Sequence, residues 1–249
     1  MLFDTALLLA AAFVAGALNA VAGGGSFLTL PALVFTGVPP VAANATGTVA
    51  LLPGYMAGAW GFREDMQPPP GLSMRAVVVL SLIGGSAGAA LLLVTPDATF
   101  KKIVPWLLLA ATAMFAFGPQ LRRWAGASHG PVSASKAGLG MLAVAAYGGY
   151  FNGGLGILLL ALFGLLGQTQ LNAMNGMKNL VSALLTAIAV AIYAAGGIVE
   201  WKQALLMMVA ATLGGYGGAR VARKLTAPVL RWGIVATGLV MAGVFFWRQ

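Results

Sequence analysis

Two stretches about 130 residues apart carry the same unusual plan. Around position 20 the chain reads LNAVAGGGSFLTLPALVFTGVPPVAANATGT; around position 150 it reads GGYFNGGLGILLLALFGLLGQTQLNAMNGMKN. Each is an apolar run broken by a glycine cluster, then a short polar turn, then a helix-like stretch bearing Asn. Glycine costs a helix interior about 1 kcal/mol per position relative to Ala. Regular helix should therefore fail at Ala22-Gly23-Gly24-Gly25-Ser26 and at Asn152-Gly153-Gly154-Leu155-Gly156. Unwound backbone inside a membrane must line a polar cavity or be covered by protein. Duplicated, broken segments of this kind are expected where two repeats of a secondary transporter meet around a binding site.

The membrane setting follows from composition. Of 249 residues, 60% are hydrophobic and 8% charged, against about a quarter charged in soluble domains. Apolar runs long enough for a hydrocarbon core of about 30 Å recur along the chain, which makes it an all-α polytopic membrane protein. Met1-Leu2-Phe3-Asp4 lacks the basic residues of a signal-peptide start, despite small residues near Ala20. With no cysteine and a lone His129, disulfides, thiol catalysis and a Cys/His metal site are excluded. The net charge of +9 is read as basic loops facing the cytoplasm and anionic headgroups, not as nucleic-acid binding.

Eight hydrophobic segments are expected, at 5–35, 41–61, 73–95, 103–119, 134–165, 170–196, 203–222 and 228–247. The longest polar connection, GPQLRRWAGASHGPVSASK, separates a first repeat (1–121) from a second (136–249) through a linker at 122–135. Segments 5–35 and 134–165 are too long for one ordinary span. Each is a single tilted, broken helix or a re-entrant hairpin. Eight crossings would divide the loop Lys and Arg 7 to 6, with no bias. Two re-entrant hairpins place Arg63, Arg75, Arg122, Arg123, Lys136, Arg220, Arg223, Lys224 and Arg231 on one side, against Lys101, Lys102, Lys202 and Arg248. That asymmetry obeys the positive-inside rule, makes the repeats inverted, and puts the N-terminus outside.

The five acids, Asp4, Glu64, Asp65, Asp97 and Glu200, all fall in expected loops or termini. An intramembrane carboxylate relay, paired-carboxylate catalysis and a carboxylate metal site are thereby excluded. One charge remains within a membrane segment: Lys178, in NAMNGMKNLVS. On a helix Asn175, Lys178 and Ser182 share a face within about 60°, flanked by Asn172 and Asn179. A lysine there costs roughly 2.5–3.5 kcal/mol in lipid and should face protein or water. The bland alternative is snorkelling, since the residue lies only about 12 Å from the helix start. The surrounding Asn donors favour a cationic anchor for a small anion. In the first repeat the matching stretch carries Asn44, Gly47 and Thr48, with Pro53 beyond them. An offset of 131 pairs Asn44 with Asn175, while Lys178 meets Gly47. The breaks add Asn19, Gly23, Gly24, Gly25, Ser26 and Thr29 on one side and Asn152, Gly153 and Gly154, near Tyr150, on the other. Gly84/Gly88 and Gly214/Gly218 read as close helix packing. Trp60, Trp106, Trp124, Trp201, Trp232 and Trp247 read as interfacial residues.

The order of glycine break, Pro31, the turn at Gly37 to Pro39 and Asn44-Ala45-Thr46 resembles the signature of the TauE/SafE family of sulfite exporters. The second-half GGYFNGGLGI and LNAMNGMKNLVSALL are similar to it too. The resemblance covers essentially the whole chain. It implies a multi-pass permease of the bacterial inner membrane moving small sulfur-containing anions such as sulfite, sulfoacetate or other organosulfonates. Carried onto this chain, the binding region is Ala22 to Ser26, Asn44 to Thr48, Asn152 to Gly156 and Asn175 to Asn179. No cofactor is implied. The coupling ion stays open between H+ and Na+, as does association of copies of the chain. The rival readings are an anion channel, a permease for another small anion such as a carboxylate, and an integral membrane enzyme. Catalysis usually needs two positioned reactive groups, which a single lysine among neutral side chains does not supply.

Overall fold

The computed structural model describes residues 2–22, 24–126, 133–222 and 227–247. They form ten helices: α1 (Leu2–Ala22), α2 (Ser26–Phe35), α3 (Pro40–Gly61), α4 (Met74–Leu93) and α5 (Asp97–Gly126), then α6 (Ala134–Tyr150), α7 (Leu155–Leu165), α8 (Leu171–Ala195), α9 (Trp201–Ala222) and α10 (Ala227–Trp247). Ten elements replace the eight expected segments because each glycine cluster divides its segment in two. Residues 122–126, assigned to the linker from sequence, continue α5. Residues 127–132, with His129, lie outside the described residues, as do Gly23, Arg223, Lys224 and Arg248. Among the described residues α1, α4 and α8 are long and apolar enough to cross a membrane.

Both divided segments fold back on themselves. In the first, Gly25 abuts the Ala15 carbonyl. Further from the break, Phe3, Leu7 and Ala11 of α1 line one apolar cavity with Leu28, Pro31 and Phe35 of α2. In the second, Gly148 packs on Leu155 and Gly140 on Leu162. Early residues of one helix meet late residues of the next, so each pair is antiparallel. Helices of 10 and 11 residues span only about 15 Å at 1.5 Å per residue, half of a hydrocarbon core. Each short arm thus doubles back along its partner and does not continue it as one broken helix.

The hairpins enter from opposite ends of the bundle. At one end, the Val41 amide donates to Asp97 Oδ1 (2.9 Å) and the Glu200 amide to Thr46 Oγ1 (3.0 Å). Phe3, Phe35, Lys101 and Phe245 gather there too. At the other end, Gln168 donates to the Gln67 carbonyl (2.8 Å) and Gly176 packs on Phe62 and Met66. The α1–α2 hairpin opens on the first end, and α7 returns to the second. Both short arms stop in the same way: Gly37 (φ 92°) after α2 and Gly167 (φ 90°) after α7 adopt the left-handed region. The amides of Val38 and Gln168 then donate to the carbonyls of Leu33 and Phe163, which satisfies the terminal carbonyls of each arm.

Between these ends, α3 and α8 run antiparallel, with Phe62 beside Gly176 and Gly58 beside Asn179. Helix α3 continues through Pro53, although a proline inside a helix removes one backbone hydrogen bond. Around this pair α1 packs on α9, α6 on α4, α3 on α9 and α4 on α8. Glycines set the closest approaches: Gly88 faces Ala146 and Tyr150, and Gly214 faces Phe13. Trp60, Trp106, Trp201, Trp232 and Trp247 are exposed, as interfacial residues require. The Trp124 side chain lies outside the described residues.

Candidate functional site

The second break is fully braced. α6 ends at Tyr150, Asn152 turns the chain at φ 57°, and Gly154 (φ 72°) precedes α7. Such angles are tolerated by Asn and Gly and costly for most other residues. Helix termini leave carbonyls unpaired, and here side chains of α3, α6 and α8 reach those around the break. Asn44 Nδ2 donates to the Tyr150 carbonyl (3.0 Å), the Tyr147 hydroxyl to the Gly153 carbonyl (2.6 Å), and the Tyr193 hydroxyl to the Gly149 carbonyl. Thr48 donates in turn to the Asn44 carbonyl (2.8 Å).

The first break is braced differently. The amides of Phe27, Leu28 and Thr29 close onto Gly24 and Gly25 carbonyls, starting α2 at Ser26. Asn19 Oδ1, Ser26 Oγ and Thr29 Oγ1 are buried, with no hydrogen-bond partner among the described residues. Gly25 rests against Leu51, and Thr29 against Gly47, so the short arm lies along α3.

The two breaks meet at Tyr55, in the C-terminal third of α3. Its hydroxyl donates to Asn152 Oδ1 (3.1 Å) and lies beside the Asn19 side chain. Asn152 Nδ2 reaches on to Thr186 Oγ1 at 3.5 Å. A polar line thus runs from the first hairpin through α3 and the second hairpin to α8. Replacing Tyr55 by Phe strands a buried acceptor, which typically costs about 1–3 kcal/mol. Tyr55→Phe is therefore expected to lower the unfolding midpoint in detergent; an unchanged midpoint would deny the link.

Lys178 is 1% exposed and forms no hydrogen bond or ion pair among the described residues. It borders the apolar cluster of Met174, Met177, Val181 and Leu185, seven residues into α8. Ser182, one turn on, is buried with its hydroxyl likewise unpartnered. Asn179 points elsewhere, across Gly58, into a cavity of about 520 Å³ between α1, α3, α8 and α9. Asn19 lines the same cavity, with Gly54, Thr212 and Tyr216.

Of the residues singled out from sequence, the structure brings Asn19 and Asn179 to one cavity and links Asn19 to Asn152. It does not bring Asn175 in: that side chain is half-buried and donates to the Leu171 carbonyl of its own first turn (3.0 Å). Asn44 and Thr48 are occupied in bracing the second break. Gly24, Gly25, Gly153 and Gly154 are buried at the two hairpin tips, and Ser26 opens α2. Sequence reasoning missed Tyr55, Tyr147, Thr186 and Tyr193. A usable signal existed: Tyr55 follows Thr48 by seven residues, as Tyr193 follows Thr186, which keeps each Tyr on its helix's polar face.

Two hairpins, each with one half-length arm, meet inside an apolar helical bundle, as in a polytopic transport protein. The pattern of the family described as "Sulfite exporter TauE/SafE" matches residues 8–245. The chain belongs to that family and is a multi-pass bacterial membrane transporter. It is 30% identical to a "Probable membrane transporter protein" of Haemophilus influenzae, over 98% of this chain and 95% of that protein. It is 28% identical to "Probable membrane transporter protein ORF9" of Sinorhizobium sp, covering 95% and 90%. With "Probable membrane transporter protein YfcA" of Escherichia coli K12 it shares 25% identity over 93% and 85%. No solved structure matches the chain.

Proposed function

We propose that this transporter moves small sulfur-containing anions, such as sulfite, sulfoacetate or other organosulfonates, by alternating access between two inverted repeats. The observation that carries the reading is the meeting of both hairpin tips at Tyr55. Opposed hairpins touching in mid-bundle are the arrangement in which a rocking motion exposes one site alternately to two sides. The inverted relation is supported by the antiparallel α3 and α8, by the matching stops at Gly37 and Gly167, and by the exchanged pairings of α1 with α9 and α6 with α4. Each half then contributes one re-entrant hairpin and three crossings, and the basic loops fall on one face.

An anion is supported by Lys178, a buried cation without a counter-charge among the described residues, and by the N-termini of α2 and α7, whose dipoles favour negative charge. Sulfur chemistry is supported by the family description alone. Lys178 neutralises the substrate, and Asn side chains with broken-helix amides supply donors. Protons moving with the anion, or sodium held by carbonyl and hydroxyl oxygens, are the two coupling schemes open to such a site.

The test is a stabilisation screen on purified protein with sulfite, thiosulfate, sulfoacetate, taurine, sulfate, nitrate and several carboxylates. A ligand that binds the folded state raises the melting temperature by mass action. A shift confined to sulfur oxyanions and sulfonates is the expected result. A shift with carboxylates alone discards the sulfur assignment. Topology has its own check: a reporter joined after Gly126 should read cytoplasmic and one at the N-terminus periplasmic; both reading cytoplasmic overturns the inverted arrangement.

A further inference from the structure

We infer that the apolar cavity between α1, α2, α5 and α10 is a lipid site, in which one acyl chain of a phospholipid fills the void and Lys101 holds the phosphate. The inference goes beyond the transport reading and does not depend on which anion is carried. The cavity measures about 590 Å³. Its walls include Leu7 and Ala11 of α1, Leu28 and Ala32 of α2, and Met241 and Phe245 of α10. Lys101, near the start of α5, is the one charged side chain among the described residues that line it. The shape is that of a chain. Phe3 and Ala11, both on the α1 wall, are eight residues apart, or about 12 Å at 1.5 Å per residue. Leu28 and Phe35 mark a similar depth along the antiparallel α2. Phe3 and Phe35 are 69% and 54% exposed, so the cavity opens where they gather with Lys101 and runs inward from that end of the bundle.

Water does not fill an apolar void of this kind, and an empty one forfeits dispersion contacts for every side chain around it. In a bilayer the abundant apolar occupant is an acyl chain, whose burial gains with each methylene. The lysine selects among amphiphiles, because an ammonium at the point where the chain emerges attracts a phosphate headgroup. The pairing of the two halves adds an independent argument. The exchange that sets α1 on α9 and α6 on α4 also sets α7 on α5 and α2 on α10. Helix α7 packs extensively on α5, whereas α2 touches α10 sparsely, with the cavity between them. The second hairpin is therefore held by protein, and the first is held in part through the bound chain.

Native mass spectrometry of the protein purified in mild detergent, with melting temperatures measured in parallel, tests the site. The unaltered chain is expected to retain one phospholipid, and added phosphatidylglycerol should raise its melting temperature by mass action. Diacylglycerol with the same chains, which lacks the phosphate, should raise it much less. Ala11→Phe, which fills the inner end of the cavity, should lose both the retained lipid and the shift. Lys101→Gln should weaken phosphatidylglycerol binding about fivefold, the worth of one basic residue beside an anionic headgroup, and leave the response to diacylglycerol unchanged. This comparison decides the matter even where Ala11→Phe fails to fold. Equal shifts with diacylglycerol and phosphatidylglycerol overturn the phosphate contact at Lys101. No retained phospholipid and no shift, or a ladder of several lipids that a folded Ala11→Phe leaves unaltered, means an annular coat only and overturns the site.

Discussion

Gly88→Val should leave almost no folded protein in the membrane. A Cβ at Gly88 would overlap the Ala146 carbonyl oxygen and stand 2.7 Å from the Tyr150 amide nitrogen. These are backbone atoms of α6 and cannot rotate away. Overpacking of yielding cores costs about 1–3 kcal/mol; here two helices must separate over their whole contact, so the loss exceeds that range. In lipid no hydrophobic force drives the helices together, and packing of this kind is the main attraction. Gly149, which meets Gly85 from the opposite side, should behave like Gly88. Gly243→Ala is the counter-case. Nothing lies within 4 Å of its Cβ, and removal of a helix-interior glycine gains up to about 1 kcal/mol. Yield and size-exclusion profile in detergent measure both, and a well-folded Gly88→Val protein would deny the close α4–α6 approach.

Lys178→Met should make the protein more stable and useless. The lysine lies 1% exposed beside Met174, Met177 and Leu185, and burying a charge without a partner is costly. Methionine keeps the length and removes that cost, so the ligand-free melting temperature is expected to rise. The anion-induced shift should vanish in the same variant. Stability and function moving in opposite directions is the signature of a residue kept for its task. A snorkelling or packing lysine would instead give a neutral or lowered melting temperature with the anion response intact.

The helices were legible because apolar runs, glycine clusters and the Gly37 turn all act locally. The hairpins were half legible. Thirty-one residues announced that segments 5–35 and 134–165 were not ordinary spans, but only the contacts of Gly25 with Ala15 and Gly148 with Leu155 show the chain doubling back. The site divides similarly. Asn19 and Asn152 were found because they adjoin the breaks. The offset of 131 paired Asn44 with Asn175, yet one amide crosses to the Tyr150 carbonyl and the other returns to its own helix. Sequence spacing sets the face a side chain occupies, not the partner it takes. Tyr55, Tyr147 and Tyr193 escaped notice for a related reason: an aromatic residue in a membrane helix reads as packing until its hydroxyl has a carbonyl or amide to meet.

The central claim is tested most directly by flux into proteoliposomes holding the purified protein. Labelled sulfoacetate or sulfite should enter with a saturable rate, entry should accelerate when the same anion is loaded inside, and Lys178→Met should abolish both. Acceleration from the opposite side requires a site that faces one side at a time. Flux that rises linearly with concentration and ignores the internal anion would contradict alternating access and point to a channel. No flux of any sulfur anion, from a preparation that carries a carboxylate instead, would contradict the substrate.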